Sequence, residues 1–182
     1  MQPCRLHIIG GSGSGTTTLG RAIADAWSVP HADSDDYFWV PTDPPYTQQR
    51  NPARRVELML EVFAQRSVWV LSGAINGWGE EILQRCDAVV LLSLGAHERL
   101  QRIEQRERIR RRTEEINTEA FGEFMTWASS YDDPEFQGRS RARHEAWLAT
   151  LKRPVLRLDS SPTVQELRDE VLSWEPVRGT GK

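Results

Sequence analysis

Lysine is nearly missing from this 182-residue chain: of 23 basic residues only Lys152 and Lys182 are lysines, and the rest are arginine. Before residue 152, therefore, nothing but arginine can stand in for a lysine side chain, and its planar guanidinium fork suits phosphate and carboxylate. A bias toward arginine in composition is the alternative explanation. Cysteine is equally sparse. Cys4 and Cys86 have no ligand spacing and no disulfide framework, and they read as buried free thiols. No apolar run reaches the ~18 residues of a membrane span, and no charged-apolar-small leader opens the sequence, so no membrane partner and a cytoplasmic location are expected. The net charge of -3 argues against duplex nucleic acid as a main partner. Internal repeats and low-complexity segments are lacking too. What remains is an ordinary composition for one globular domain over 1–182, a monomer or homodimer, with 38% hydrophobic and 27% charged residues.

The informative stretch is CRLHIIGGSGSGTTTLGRAIA. Leu6, Ile8 and Ile9 form an apolar run into Gly10, Gly11, Gly13 and Gly15. Leu19, Ala22, Ile23, Ala26 and Trp27 then recur at helical spacing. Strand, glycine loop and helix in this order let backbone amides converge at a helix N-terminus, where a polyphosphate is the natural occupant. A glycine turn without ligand is the bland reading. Gly10, Gly15 and Thr17 fit G-x-x-x-x-G-K-[ST], with Gly11, Ser12, Gly13, Ser14 and Thr18 completing the cradle. Thr16 stands where that pattern has lysine, and no G-x-G-x-x-G can be drawn. A hydrogen bond to a charged group contributes about 1.5–3 kcal/mol, so losing the lysine weakens nucleotide binding unless another cation substitutes.

Residues 31–35 read as a short second strand running into Asp33, Asp35 and Asp36. In an extended stretch Asp33 and Asp35 share a side and could hold a hydrated Mg²⁺ or position an acceptor hydroxyl; a solvated acidic turn is the alternative. Residues 37–50 read as a stiff loop whose aromatics wall a pocket or merely pin the loop. Asn51 caps a helix with Pro52 in its first turn, with Arg50, Arg54 and Arg55 near its start on a solvated or ligand-facing side. Residues 67–73 form a third strand ending at Gly73, before a turn with Trp78, and no acid closes it. Residues 87–94 form a fourth strand, and 96–112 an arginine-dense helix carrying Arg106, Arg110, Arg111 and Arg112. Its end is a solvated face or a mobile lid over about 107–118. A helix at 118–130 follows, then one carrying Arg139, Arg141, Arg143 and a packed surface histidine, His144. A last strand at 154–159, a helix capped by Thr163 and Glu166 and a frayed tail over 175–182 close the chain.

In element order the chain resembles the P-loop small-molecule and nucleoside monophosphate kinases, adenylate and shikimate kinases among them. More closely, LHIIGGSGSGTTTLG, DSDDYFWVPTDPP, WVLSGAINGWG and SYDDPEFQGRSRARHEAWL resemble bacterial proteins described as adenylate kinase-like or AAA-family ATPases. The resemblance implies an α/β three-layer P-loop fold, with a five-stranded parallel sheet of order 2-3-1-4-5. It implies ATP phosphates over residues 10–17 and the Thr17 hydroxyl on Mg²⁺. By analogy with D-x-D at the end of the second strand of shikimate kinases, Asp33 takes metal-bound water and Asp35 the acceptor. Gly73 matches a glycine lining the acceptor site, with Trp78 close behind it, and Arg106 an arginine near the adenine or lid hinge. The expected activity is transfer of the ATP γ-phosphoryl group to a small-molecule or nucleotide acceptor, with Arg110, Arg111, Arg139 and Arg143 as substitutes for the lysine. The rival is a nucleotide-binding or ATPase module without kinase activity.

Overall fold

The run Arg5–Gly10 becomes strand β1, and its residues alternate between two buried faces, as expected for a strand covered on both sides. The computed structural model describes residues 1–43, 45–110 and 118–176. β1 pairs in parallel with β3 (Trp69–Ser72) on one side and β4 (Ala88–Ser93) on the other. β2 (His31–Asp33) and β5 (Val155–Asp159) complete a five-stranded parallel sheet ordered β2-β3-β1-β4-β5, the order the resemblance implies. The chain leaves β1 where neighbouring strands diverge in sequence order, and the crevice at their carboxyl ends is the customary ligand position in such sheets.

Leu6, Ile8, Val70, Val90 and Leu92 meet α1 (Thr16–Trp27) and α8 (Val164–Ser173) on one face, through Leu19, Ile23, Leu167 and Val171. Ile9, Leu71, Val89 and Leu91 meet the other layer, which holds α3 (Pro52–Met59), α4 (Glu80–Arg85) and α7 (Arg141–Thr150). Cys86 is buried as expected, whereas Cys4, also expected buried, is only half-buried just ahead of β1, and neither is disulfide-bonded. The Asn51 side chain accepts from Ala53 N, as its position before Pro52 predicts, and α3 widens into a π-type turn over Leu60–Ala64. The arginine-dense helix is α5 (Ala96–Arg110), followed by α6 (Thr118–Ser129) and one tight turn at Ser130–Asp132.

Two expectations are corrected. The second strand stops at Asp33, because that side chain accepts from Asp35 N and caps the short helix α2 (Ser34–Phe38). Residues 37–50, expected as a stiff loop, start inside α2, and the segment that follows is tied at its ends: Trp39 bridges Gln49, flanked by Val40 N to Gln48 O and Arg50 N to Phe38 O. Most of the lid expected at 107–118, with Arg111 and Arg112, lies outside the described residues, as does the tail from 177. Among the described residues no helix is long and apolar enough to cross a membrane.

Candidate functional site

The glycine loop is packed from behind and left open in front. A Cβ on Gly13, whose φ is +85°, would stand 2.3 Å from the Arg99 carbonyl oxygen, so only glycine fits both the turn and the neighbour. A Cβ on Gly11 would lie 2.9 Å from the Tyr131 ring, and one on Gly10 would lie 2.3 Å from Ser14 Oγ. The Ser14 hydroxyl is buried with no partner among the described residues. Gly15, at φ +92°, is the N-cap of α1, and it offers the first turn no side-chain cap. Nor is there an acid in that turn, so the amides at Thr16, Thr17 and Thr18 keep their positive field for something outside the helix.

Opposite this opening, Thr17 Oγ1 donates to Asp33 Oδ2 at 2.6 Å. Ser72 Oγ donates to the same oxygen at 3.3 Å, while Asp33 Oδ1 accepts from Asp35 N at 3.1 Å. A carboxylate and a hydroxyl side by side are hard oxygen donors, the kind that hold Mg²⁺ when water and phosphate complete the shell. No cluster of three or more His, Cys, Asp or Glu side chains suited to a metal occurs among the described residues.

Asp35, in the first turn of α2, does not share a strand face with Asp33. Its carboxyl is pushed up by burial and by the Asp33 charge, and drawn back by Arg139 and Arg106. Arg139, just ahead of the Ser140 cap of α7, is pushed down by burial and drawn back by Asp35, Tyr131 and Asp33. Its guanidinium also stands 5.3 Å from the centre of the Trp127 ring. The structure thus gathers Asp33, Asp35, Arg106 and Arg139 into one electrostatic neighbourhood. It does not gather the others: Arg110 lies 3.7 Å from Glu107, and the Arg143 guanidinium donates to the Gln137 carbonyl. Gly73, at φ +90°, leaves room for Ser34 Oγ, which a Cβ would meet at 2.1 Å, and its carbonyl lies 2.7 Å from His7 Nε2. Trp78 is half-buried against the Phe38 ring, with centroids 6.1 Å apart.

Three arginines matter beyond those expected. Arg99 is fully buried and ties Ser12 O (3.1 Å) and Ala128 O (3.3 Å) to Asp132 (2.8 Å). Arg102 donates to Ser160 O at 2.9 Å, with Nη1 3.9 Å from the Cβ position of Gly15. Arg55, expected on a solvated or ligand-facing side, is buried with its guanidinium 3.7 Å from the Phe38 ring centre. The signal for Arg99 was its register: Arg99, Ile103 and Glu107 recur every four residues on the buried side of α5. His144, expected as a packed surface residue, is instead buried, with Nδ1 2.9 Å from the Tyr131 hydroxyl, and burial pushes its pKa down to about 4.

No family model matches this chain. Among solved structures, the gluconokinase of Sinorhizobium meliloti 1021 aligns with a TM-score of 0.52 and 19% identity, covering 94% of this chain and 90% of that one. The shikimate kinase of Acinetobacter baumannii in complex with shikimate aligns with a TM-score of 0.52 and 20% identity, over 94% and 92% of the two chains. Likeness at this level establishes a shared P-loop kinase fold. In sequence, the uncharacterized protein YqaC of Bacillus subtilis (strain 168) is 36% identical over 173 residues, 93% of this chain and 96% of that one. With that identity across nearly the whole of both chains, this protein belongs to the YqaC family, built on the P-loop kinase fold.

Proposed function

We propose that this protein is an ATP-dependent phosphotransferase that moves the γ-phosphoryl group to a hydroxyl or phosphate of a small-molecule or nucleotide acceptor, within the adenylate kinase-like part of the fold. The observation that carries it is the Thr17–Asp33 pair, 2.6 Å apart at the open side of an uncapped helix and its glycine loop. Loop amides from Gly10 to Thr18 hold the β- and γ-phosphates. Thr17 and Asp33 hold Mg²⁺, which when bound neutralises charge on the transferring group. Asp35, its carboxyl pushed up by burial and by Asp33, takes the proton of the acceptor hydroxyl. Arg139, whose charge is felt by both acids, and Arg106, whose charge is felt by Asp35, supply the charge that Thr16 does not. Gly73 and Trp78 border the acceptor on the β3 side, next to the Phe38 ring.

Thr16 itself favours a second reading, a nucleotide-binding module that reports ATP without transferring its phosphate. Thermal shift with ATP and Mg²⁺, followed by ADP release across a panel of hydroxylated and phosphorylated metabolites, separates the two. The kinase reading expects acceptor-dependent ADP release that Asp33→Asn lowers at least about a hundred-fold, about 2.7 kcal/mol of barrier. ATP stabilisation without acceptor-dependent release selects the second reading, and unchanged turnover in Asp33→Asn removes that acid from the chemistry.

A further inference from the structure

Gly20 stands inside α1, where glycine weakens a helix relative to alanine, and it is buried. Its reason is visible next door. A Cβ at this position would lie 2.7 Å from Nε2 and 2.9 Å from Cδ2 of His31. The missing methyl admits the imidazole between α1 and β3, where Nε2 stands 3.0 Å from Ser72 Oγ. Ser72 is fully buried at the end of β3, and its hydroxyl lies 3.3 Å from the Asp33 oxygen that also takes the Thr17 hydroxyl.

The directions follow from the groups. A carboxylate oxygen only accepts, so Ser72 donates to Asp33, and its lone pair takes the Nε2–H of His31. That fixes the imidazole tautomer. It also fixes the hydroxyl, which otherwise has the Ala32 carbonyl at 3.5 Å as a second acceptor. Glycine in a helix, serine in a buried strand and histidine against that helix are each poor local choices, and one polar chain accounts for all of them.

The geometry points to His31 and Ser72 as positioning residues that hold the Asp33 carboxylate turned toward Thr17, and so set the affinity for the divalent cation those two residues share. This rests on the functional reading above. Carboxylate ligands are commonly oriented by such outer partners, whose removal costs about 10–100-fold in metal affinity.

The probe is Mn²⁺ with ADP present, titrated by loss of the free-ion electron paramagnetic resonance signal. His31→Phe keeps the ring without the donor and raises the Mn²⁺ dissociation constant about ten-fold, the lower end of the range for such partners. His31→Gln restores an N–H at similar reach and stays within about three-fold of wild type, well short of that range. Gly20→Ala pushes the ring off Ser72 and loosens Mn²⁺ as His31→Phe does. ADP binding without metal is unchanged in all three. Wild-type affinity in His31→Phe, or equal losses in His31→Phe and His31→Gln, overturns the positioning role while the kinase reading stands. Failure of the wild-type protein to bind Mn²⁺ with ADP overturns both.

Discussion

Helices α1 and α8 pack side by side on one face of the sheet, each entered from a parallel strand, and their N-termini are built in opposite ways. At α8 the Thr163 side chain accepts from Glu166 N, and the Glu166 carboxylate accepts from Thr163 N at 2.9 Å. The helix end closes on itself, and an acid sits on its positive pole. At α1 the cap is a left-handed glycine, the first turn holds no acid, and the neighbouring Ser14 hydroxyl is buried without a partner among the described residues. A side-chain cap is worth about 1 kcal/mol, so leaving one out is a concession. The contrast teaches that this chain can cap a helix when stability is the only demand, and that at α1 the donors are kept for an anion.

The largest test of that contrast is acidification. His7 lies in β1, which feeds the loop, and His144 stands under Tyr131; burial pushes both to about 4. In the unfolded chain both take up protons near pH 6.5. The folded state therefore loses stability as pH falls from about 6.5 to 4, by roughly 3 kcal/mol for each imidazole. Glu166 is held below its ordinary range by the Thr163 hydroxyl and amide, so its contribution is present above about pH 4.5 and fades only as pH falls through the lowered value. Hydrogen-exchange protection should drop first in β1 and the loop and later in α8. Simultaneous loss would erase the distinction.

Thr16→Lys comes next. Calorimetry should show ATP binding tighter by roughly one to two decades, the worth of a hydrogen bond to a charged group. No gain, or a loss, would mean that an arginine already fills that volume. At the other helix, Thr163→Ala should lower unfolding stability by about 1 kcal/mol in urea titrations and leave ATP affinity unchanged. The smallest effect is the sharpest in sign. Thr18→Glu puts the missing acid into the first turn of α1, stabilising the protein by about 0.5 kcal/mol while loosening ATP in a salt-dependent way. Tighter or unaltered ATP binding would show that those amides are not reserved.

Much of this was legible in the residues. Apolar runs marked β1, β3 and β4, Asn51-Pro52 and Thr163-Val-Gln-Glu166 marked two helix starts, and the glycines marked the loop. The end of β2 was misread because Asp33 closes a strand and caps a helix at once, and an acid in an acidic run does not announce which. Arg55 and Arg99 were harder to read for a different reason: charged residues are seldom fully buried, so although Arg99 shares a register with Ile103, the groups that hold the two guanidiniums, the Phe38 ring and the Ser12 and Asp132 oxygens, are seen only in the structure. The His144–Tyr131 contact joins residues thirteen positions apart, across a loop and the cap of α7, which no periodicity reports. For the proposed site, the loop and both acids could be named in advance, but which arginines face them could not.

Arg99 carries a mechanical corollary. Its backbone carbonyl abuts Gly13, and its side chain fastens Ser12 to Asp132 beyond α6, so the first turn of α5 is bolted to the loop floor. A swing at the distal end of α5 must then bend along the helix past residue 99 rather than pivot at its root. By the same bolt, tension in the segment after α6 is delivered to the floor of the glycine loop.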